Sequence, residues 1–251
     1  PALAGNIQGR EACRAIHDTL FTVDQHGNLA PKLVESWTQP DAKTYTLRLR
    51  RGVKFHDGTP FNAEAVKYNL ERIRNPATNS IRAGEISAMD SIEVVDEFTV
   101  RITLKTPFAA FLFPLTDVAG AMGSPAAFEK WGDNYGLHPS GTGPFKFVSY
   151  EKDFETILEK NGDYWAKGQP YVDKLVLRPI PVDSTRLAAL LSGEVQIAES
   201  LPLQVIKQLR ESGQIQVSEK VGFRWEYFGF NLHPEYPGYS KAFRQAFQWA
   251  I

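Results

Sequence analysis

Chemistry in a protein chain shows itself as a nucleophile beside a base, a cluster of metal-binding side chains, or a glycine-rich loop opening a helix. This sequence holds one cysteine, Cys13, and five histidines, His17, His26, His56, His138 and His233. A thiolate nucleophile needs a base and an orienting group, and the sequence offers no specific set for Cys13, which reads as a small, partly buried helix residue. The histidines form no HExxH motif and no i, i+4 pair, so neither a built-in metal site nor a cofactor is expected. Gly141, Thr142 and Gly143 spell GTG, but no GxGxxG opens a helix and no P-loop motif exists. A turn completed by Pro144 explains these glycines. Carboxylates such as Glu64 and Glu71 fall on the wet face of a helix, leaving no acid–base pair to pick out, and the GxSxG elbow of hydrolases is absent. The expectation is a protein that is not an enzyme.

The 251 residues are 43% hydrophobic and 23% charged, with a formal net charge of -1, which is ordinary globular material. A near-neutral balance gives no basic stripe to neutralise phosphates, so nucleic acid is not an expected partner. One cysteine excludes an intrachain disulfide. No apolar run reaches the roughly 18 residues of a bilayer span, and the first residues lack the basic start and apolar middle of a signal peptide. Aromatic residues make up 12% of the chain, which suits large core faces or a ligand cleft.

Periodicity lays out the elements. A helix is expected over residues 8–21, from Ala12, Ala15, Ile16 and Leu20, followed by a turn at Asp24 to Gly27. Residues 44–50 alternate Tyr45, Leu47 and Leu49 with polar neighbours, as in a half-buried strand. Asn62 caps a second helix that ends near Arg74, before Asn75 and Pro76. Residues 92–95 and 98–104 form a hairpin turning at Asp96 and Glu97, with Phe98, Val100, Ile102 and Leu104 on one face. Strands are expected at 145–150 and 155–160, reached through a proline-punctuated middle. From Tyr171 the texture becomes α/β: strand 174–180, helix 184–191 capped by Asp183 and closed by Gly193, strand 194–198, helix 202–211, strand 214–219. A strand at 225–231 and an amphipathic helix at 241–251 complete the pattern. The apolar face of that last helix, Phe243, Phe247 and Ala250, asks for a packing partner, so the sequence is expected to stop inside a domain.

The longest unusual stretch runs from Ala30, Leu33 and Trp37 into LRRGVKFHDGTPFNAEAV (residues 49–66). Physically it is modest: Trp37 an anchor under a sheet, His56 to Pro60 a turn, Asn62 a cap. It also closely resembles the signature of the family 5 bacterial solute-binding proteins, which serve oligopeptides, dipeptides, nickel, and some opines or glutathione. The resemblance extends through VDEFTVRITLKTPFAAFL, HPSGTGPFKF, LEKNGDYW and FNLHP ahead of KAFRQAFQWAI, in the family's order and over almost the whole chain.

That resemblance implies an α/β, periplasmic-binding-protein-like (class II) fold in which two lobes joined by a two-strand hinge enclose the ligand. Residues 1–29 and 171–222 would form a first-lobe α/β subdomain with a mixed sheet, and residues 30–170 an antiparallel-sheet subdomain. Residues 223–251 would be the hinge and an incomplete start of the second lobe. Family members are about twice this length, so the resemblance implies a truncated chain holding half a ligand site, with weak or no binding by itself. By the family's layout the ligand-facing residues would be Asn6 and Ile7, Arg82, Thr116, Asp117 and Met122, with Arg224, Trp225 and Tyr227 at or just past the hinge. The residues alone allow other readings: Arg82 as a solvated charge, Trp225 as a core anchor, Ile7 as packing. The implied function is the extracytoplasmic binding component of an ABC importer, periplasmic or membrane-tethered. It would be a monomer whose partners are a peptide or other small solute and the permease subunits, touching membrane only through the permease or a lipid anchor absent from this sequence. The alternatives are a peptide-acting hydrolase and a sensory or chaperone-like peptide binder on the same fold.

Overall fold

A computed structural model describes residues 7–219 and 228–250. The chain separates into two compact units, Pro1–Ile180 and Pro181–Ile251.

The first unit is built on antiparallel sheets. Helix α1 (Ile7–Ile16) leads into a small ribbon of β1 (Phe21–Val23) and β2 (Leu29–Pro31), with Gly27 at positive φ in the turn. Strands β3 (Val34–Asp41), β4 (Thr44–Leu49), β5 (Met89–Asp96) and β6 (Thr99–Leu104) form a four-stranded sheet in the order β3-β4-β6-β5. Alternation decides its faces: Tyr45, Leu47 and Leu49 of β4 and Val100, Ile102 and Leu104 of β6 are all buried. Helix α2 (Ala63–Arg74) covers that face with Ala63, Val66, Leu70 and Ile73, in one continuous core with Phe21, Leu33, Phe55 and Phe61. Each such side chain contributes about 1.5–3 kcal/mol of burial. The α2 cap is the expected one: the Asn62 side chain accepts from the Ala65 amide at 3.0 Å. Trp37, expected under the sheet, is half-buried and meets the Phe21 ring edge-on, centroids 5.2 Å apart. The rest of this unit comprises α3 (Pro125–Trp131) and a sheet of β7 (Phe145–Glu151), β8 (Glu155–Lys160) and β9 (Lys174–Leu177). Every strand pairing among the described residues is antiparallel.

Two local expectations fail here for tertiary reasons. The first helix stops at Ile16 instead of Phe21, because the next amides find other partners: Asp18 donates to the Thr142 hydroxyl and Leu20 to the Gly120 carbonyl at 2.9 Å. The proline-punctuated middle, for which no helix is expected, contains helix α3. Its signal was readable, since Ser124 caps it by accepting from Ala127 N and Pro125 occupies the first turn.

In the second unit the expected helices form: α4 (Asp183–Leu191), α5 (Leu203–Ser212) and α6 (Lys241–Ala250). Gly193 and Gly213 take the positive φ that closes α4 and α5. Asp183 is not the cap of α4; Val182 holds that position without a side-chain bond, and Asp183 pairs with Arg186 at 2.6 Å. The strands expected at 194–198 and 214–219 do not form. Of the strand expected at 225–231, residues 225–227 lie outside the described residues and 228–231 are not in a strand.

Candidate functional site

The signature segments between residues 18 and 165 meet in the first unit, where they lock one another. Asp18, at the end of α1, has no solvent exposure. Its carboxylate accepts from Trp165 Nε1 at 2.7 Å and Tyr164 Oη at 3.2 Å, and pairs with Lys32 Nζ at 2.8 Å. A buried charge is tolerated when donors surround it, and here three converge from two distant segments. The Arg50 guanidinium lies 4.3 Å from the Trp165 ring centre, adding a cation–π contact. The aromatic pair of the NGDYW segment therefore fastens the chain start to the sheet.

The HPSGTGPF segment is clamped from three sides. Gly141 and Gly143 press against the Ile16 backbone, where any Cβ would collide with main-chain atoms. His56 Nε2 donates to the Gly143 carbonyl at 2.9 Å, and Asn161 Nδ2 donates to the same oxygen at 3.0 Å. Tyr135 Oη donates to the Ser140 carbonyl at 2.9 Å and stands 2.8 Å from His17 Nε2. Burial drives the His17 pKa well down and so keeps the ring neutral, and it lowers that of His56 as well. His17 Nδ1 lies 3.2 Å from the Cys13 carbonyl. Burial also raises the Cys13 thiol pKa, and His17 faces the Cys13 carbonyl rather than its sulfur. This pair is structural and offers no activated nucleophile.

A charged rim lies along α1. Asp117 receives two arginines one helical turn apart, Arg10 at 3.2 Å and Arg14 at 3.3 Å. Thr116, beside it, spends its hydroxyl proton on the Phe113 carbonyl at 2.8 Å. Arg82 is not a solvated charge: its side chain is 10% exposed and pairs with Glu85 at 2.7 Å. Cys13 packs with Val118 and Ala121, just after Asp117 in the chain. Of the residues expected to face ligand, Thr116 and Asp117 adjoin each other at this rim, while Arg82 pairs with Glu85. Met122 is fully buried in the main core, its amide donating to the Asp18 carbonyl. Ile7 opens α1, while Asn6, Arg224, Trp225 and Tyr227 lie outside the described residues.

Sequence reasoning missed Arg10 and Arg14, whose partner is more than a hundred positions away. It also missed Asp18, and only the NGDYW motif hinted at that anchor. A groove of ≈ 630 Å³ on the same unit is lined by His56, Asp57, Lys130, Trp131 and His138 and includes none of the expected residues. The Trp131 and His138 rings stack there at 3.7 Å. Among the described residues no cluster of His, Cys, Asp and Glu could hold a metal ion, and no helix is long and apolar enough to cross a membrane.

Residues 28–251 match the family described as bacterial extracellular solute-binding proteins, family 5 middle. The chain belongs to that family. Within it, the glutathione-binding protein GsiB of Pectobacterium atrosepticum is 36% identical over 252 residues, an alignment covering 100% of this chain and 49% of that protein. The chain therefore spans about half the length of the curated relatives it matches. Among solved structures, the binding protein AgaA of A. tumefacien R10, in complex with agropinic acid, is 34% identical with a TM-score of 0.79, covering 84% of this chain and 43% of that one. The periplasmic binding protein DppA of Helicobacter pylori, associated with an ABC transporter and in complex with the peptide STSA, is 33% identical with a TM-score of 0.75, covering 84% and 46%. The relatives named here are binding proteins, not enzymes. In this family-5 chain the signature segments from Asp18 to Trp165 act as mutual locks, and the charged rim beside them is the part with unspent chemistry.

Proposed function

We propose that this chain is part of the extracytoplasmic solute-binding component of an ABC importer, capturing a peptide or related small solute and presenting it to the permease. The observation that carries this reading is the family-5 match over residues 28–251. Relatives named for glutathione, agropinic acid and peptide set the range of solutes. In the full-length protein two lobes close on the solute, and closure is a population shift: a ligand that touches both lobes only when closed stabilises that form by its differential affinity. Residues 1–29 and 171–222 then belong to one subdomain of the first lobe, residues 30–170 to the other, and residues 223–251 begin the crossing into the second. Asn6, Ile7, Arg82, Thr116, Asp117, Arg224, Trp225 and Tyr227 face the ligand, whereas Met122 supports them through packing. The protein works as a periplasmic or membrane-tethered monomer and catalyses no reaction.

The test is reconstitution of the full-length protein with its cognate permease and ATPase in proteoliposomes. Solute uptake and ATP hydrolysis that both require the binding protein are expected. Uptake that proceeds equally without it, or turnover of a peptide library by the protein alone, overturns the reading.

A further inference from the structure

The rim on α1 carries one carboxylate between two guanidinium groups. Asp117 Oδ2 lies 3.2 Å from Arg10 and Oδ1 lies 3.3 Å from Arg14, so one negative charge is shared by two positive ones. Glu11 is the other acid on this helix, 3.6 Å from Arg14 with both side chains substantially exposed, so Arg14 is shared between Glu11 and Asp117. Arg82 is already engaged by Glu85. The Arg10 side chain is 36% exposed, yet its Nε is buried and has no hydrogen-bond partner. That nitrogen is shielded from solvent, so the exposed remainder of the Arg10 side chain is what an incoming acceptor can meet. Arg10 also sits one helical turn from Ile7 and touches Asp117, two positions that the solute-capture reading places against ligand.

We infer that Arg10, positioned by Asp117 and flanked by Arg14, binds an anionic group of the solute, a carboxylate in a peptide or amino-acid conjugate. The inference rests on the solute-capture reading and narrows it to acidic ligands. Asp117 serves as a positioning residue: it fixes the fork from one side, leaving the planar N–H edge for a second, incoming carboxylate. A lysine at position 10 would keep the charge and lose the bidentate geometry.

Calorimetry on the full-length protein tests this with two probe pairs, glutathione and the peptide Ser-Thr-Ser-Ala, each as free acid and with its carboxylates amidated. At least one free acid is expected to bind, with its amide weaker by about 10- to 100-fold, the range for losing a charged hydrogen bond. The Arg10→Gln variant brings the acid down to the affinity of the amide and leaves the amide unchanged, and Arg10→Lys recovers part of the loss. Circular dichroism melts of both variants verify folding. Equal binding of acid and amide, equal weakening of both forms by Arg10→Gln, or no binding of either acid overturns the inference. Equal binding of acid and amide leaves solute capture standing, so the two failures are told apart.

Discussion

The two units of this chain solve the same folding problem differently. In the first, residues 7–180, sheet faces close on α2 and signature segments cross-link through buried polar groups such as Asp18, His17 and Asn161. In the second, the buried apolar side chains among the described residues are Ala189, Leu190 and Leu209, while Ile197 is 81% exposed, Leu203 80% and Trp249 90%. The α6 rings Phe243 and Phe247 pack edge-on against Phe230, and Phe247 also meets Phe228, which is itself largely exposed. Helices form in both units because a helix satisfies its backbone within itself. Among the described residues strands form only in the first, because a strand needs a neighbour for every second amide. Burial is therefore concentrated in the first unit.

Paired substitutions can break that contrast. The largest effect is expected from Asp18→Ala, which removes a fully buried carboxylate and leaves the partly buried Lys32 ammonium and Tyr164 and Trp165 donors without their acceptor, at about 3–5 kcal/mol in denaturant melts. The matching change in the second unit, Asp183→Ala, removes an exposed carboxylate from its pair with Arg186, which keeps its bond to the Ser200 carbonyl, and costs about 1 kcal/mol. Next comes Leu70→Ala, expected to cost about 2–5 kcal/mol for a fully buried side chain, against no more than about 0.5 kcal/mol for Leu203→Ala.

Acid sharpens the comparison. His17 and His56 have folded pKa values lowered by burial, so below the ordinary histidine range the unfolded chain binds more protons than the folded one. Stability of the first unit then rises with pH up to neutrality and falls as pH drops below about 6.5. Melts from pH 8 to 5 should show this slope, and His17→Gln, which does not titrate, should flatten it. The smallest effects are at helix starts: Asn62→Ala loses about 1 kcal/mol with the cap of α2, and Val182→Ser, supplying the cap that α4 lacks, gains about 0.5 kcal/mol.

Much of this was legible before any coordinates, and the reason is local. The Asn62 cap, the alternation of Tyr45, Leu47 and Leu49, and the 96–97 hairpin turn are each encoded within a few residues. The end of α1 was not, because residues 120 and 142 capture the Leu20 and Asp18 amides from across the chain. The strands expected at 194–198 and 214–219 had suitable residues but no paired neighbour. For the candidate site, the sequence pointed to Asp117 and Arg82 through the family's layout alone. It could not show that Asp117 is held by Arg10 and Arg14, that Arg82 is committed to Glu85, or that Met122 is core.

Native mass spectrometry of the full-length protein, purified from its host without refolding, tests solute capture most directly. A single small solute of defined mass, retained at one per protein monomer and released on partial unfolding, is the predicted result. A protein that holds no solute as purified and takes up none from a host extract of peptides and amino-acid conjugates would contradict it.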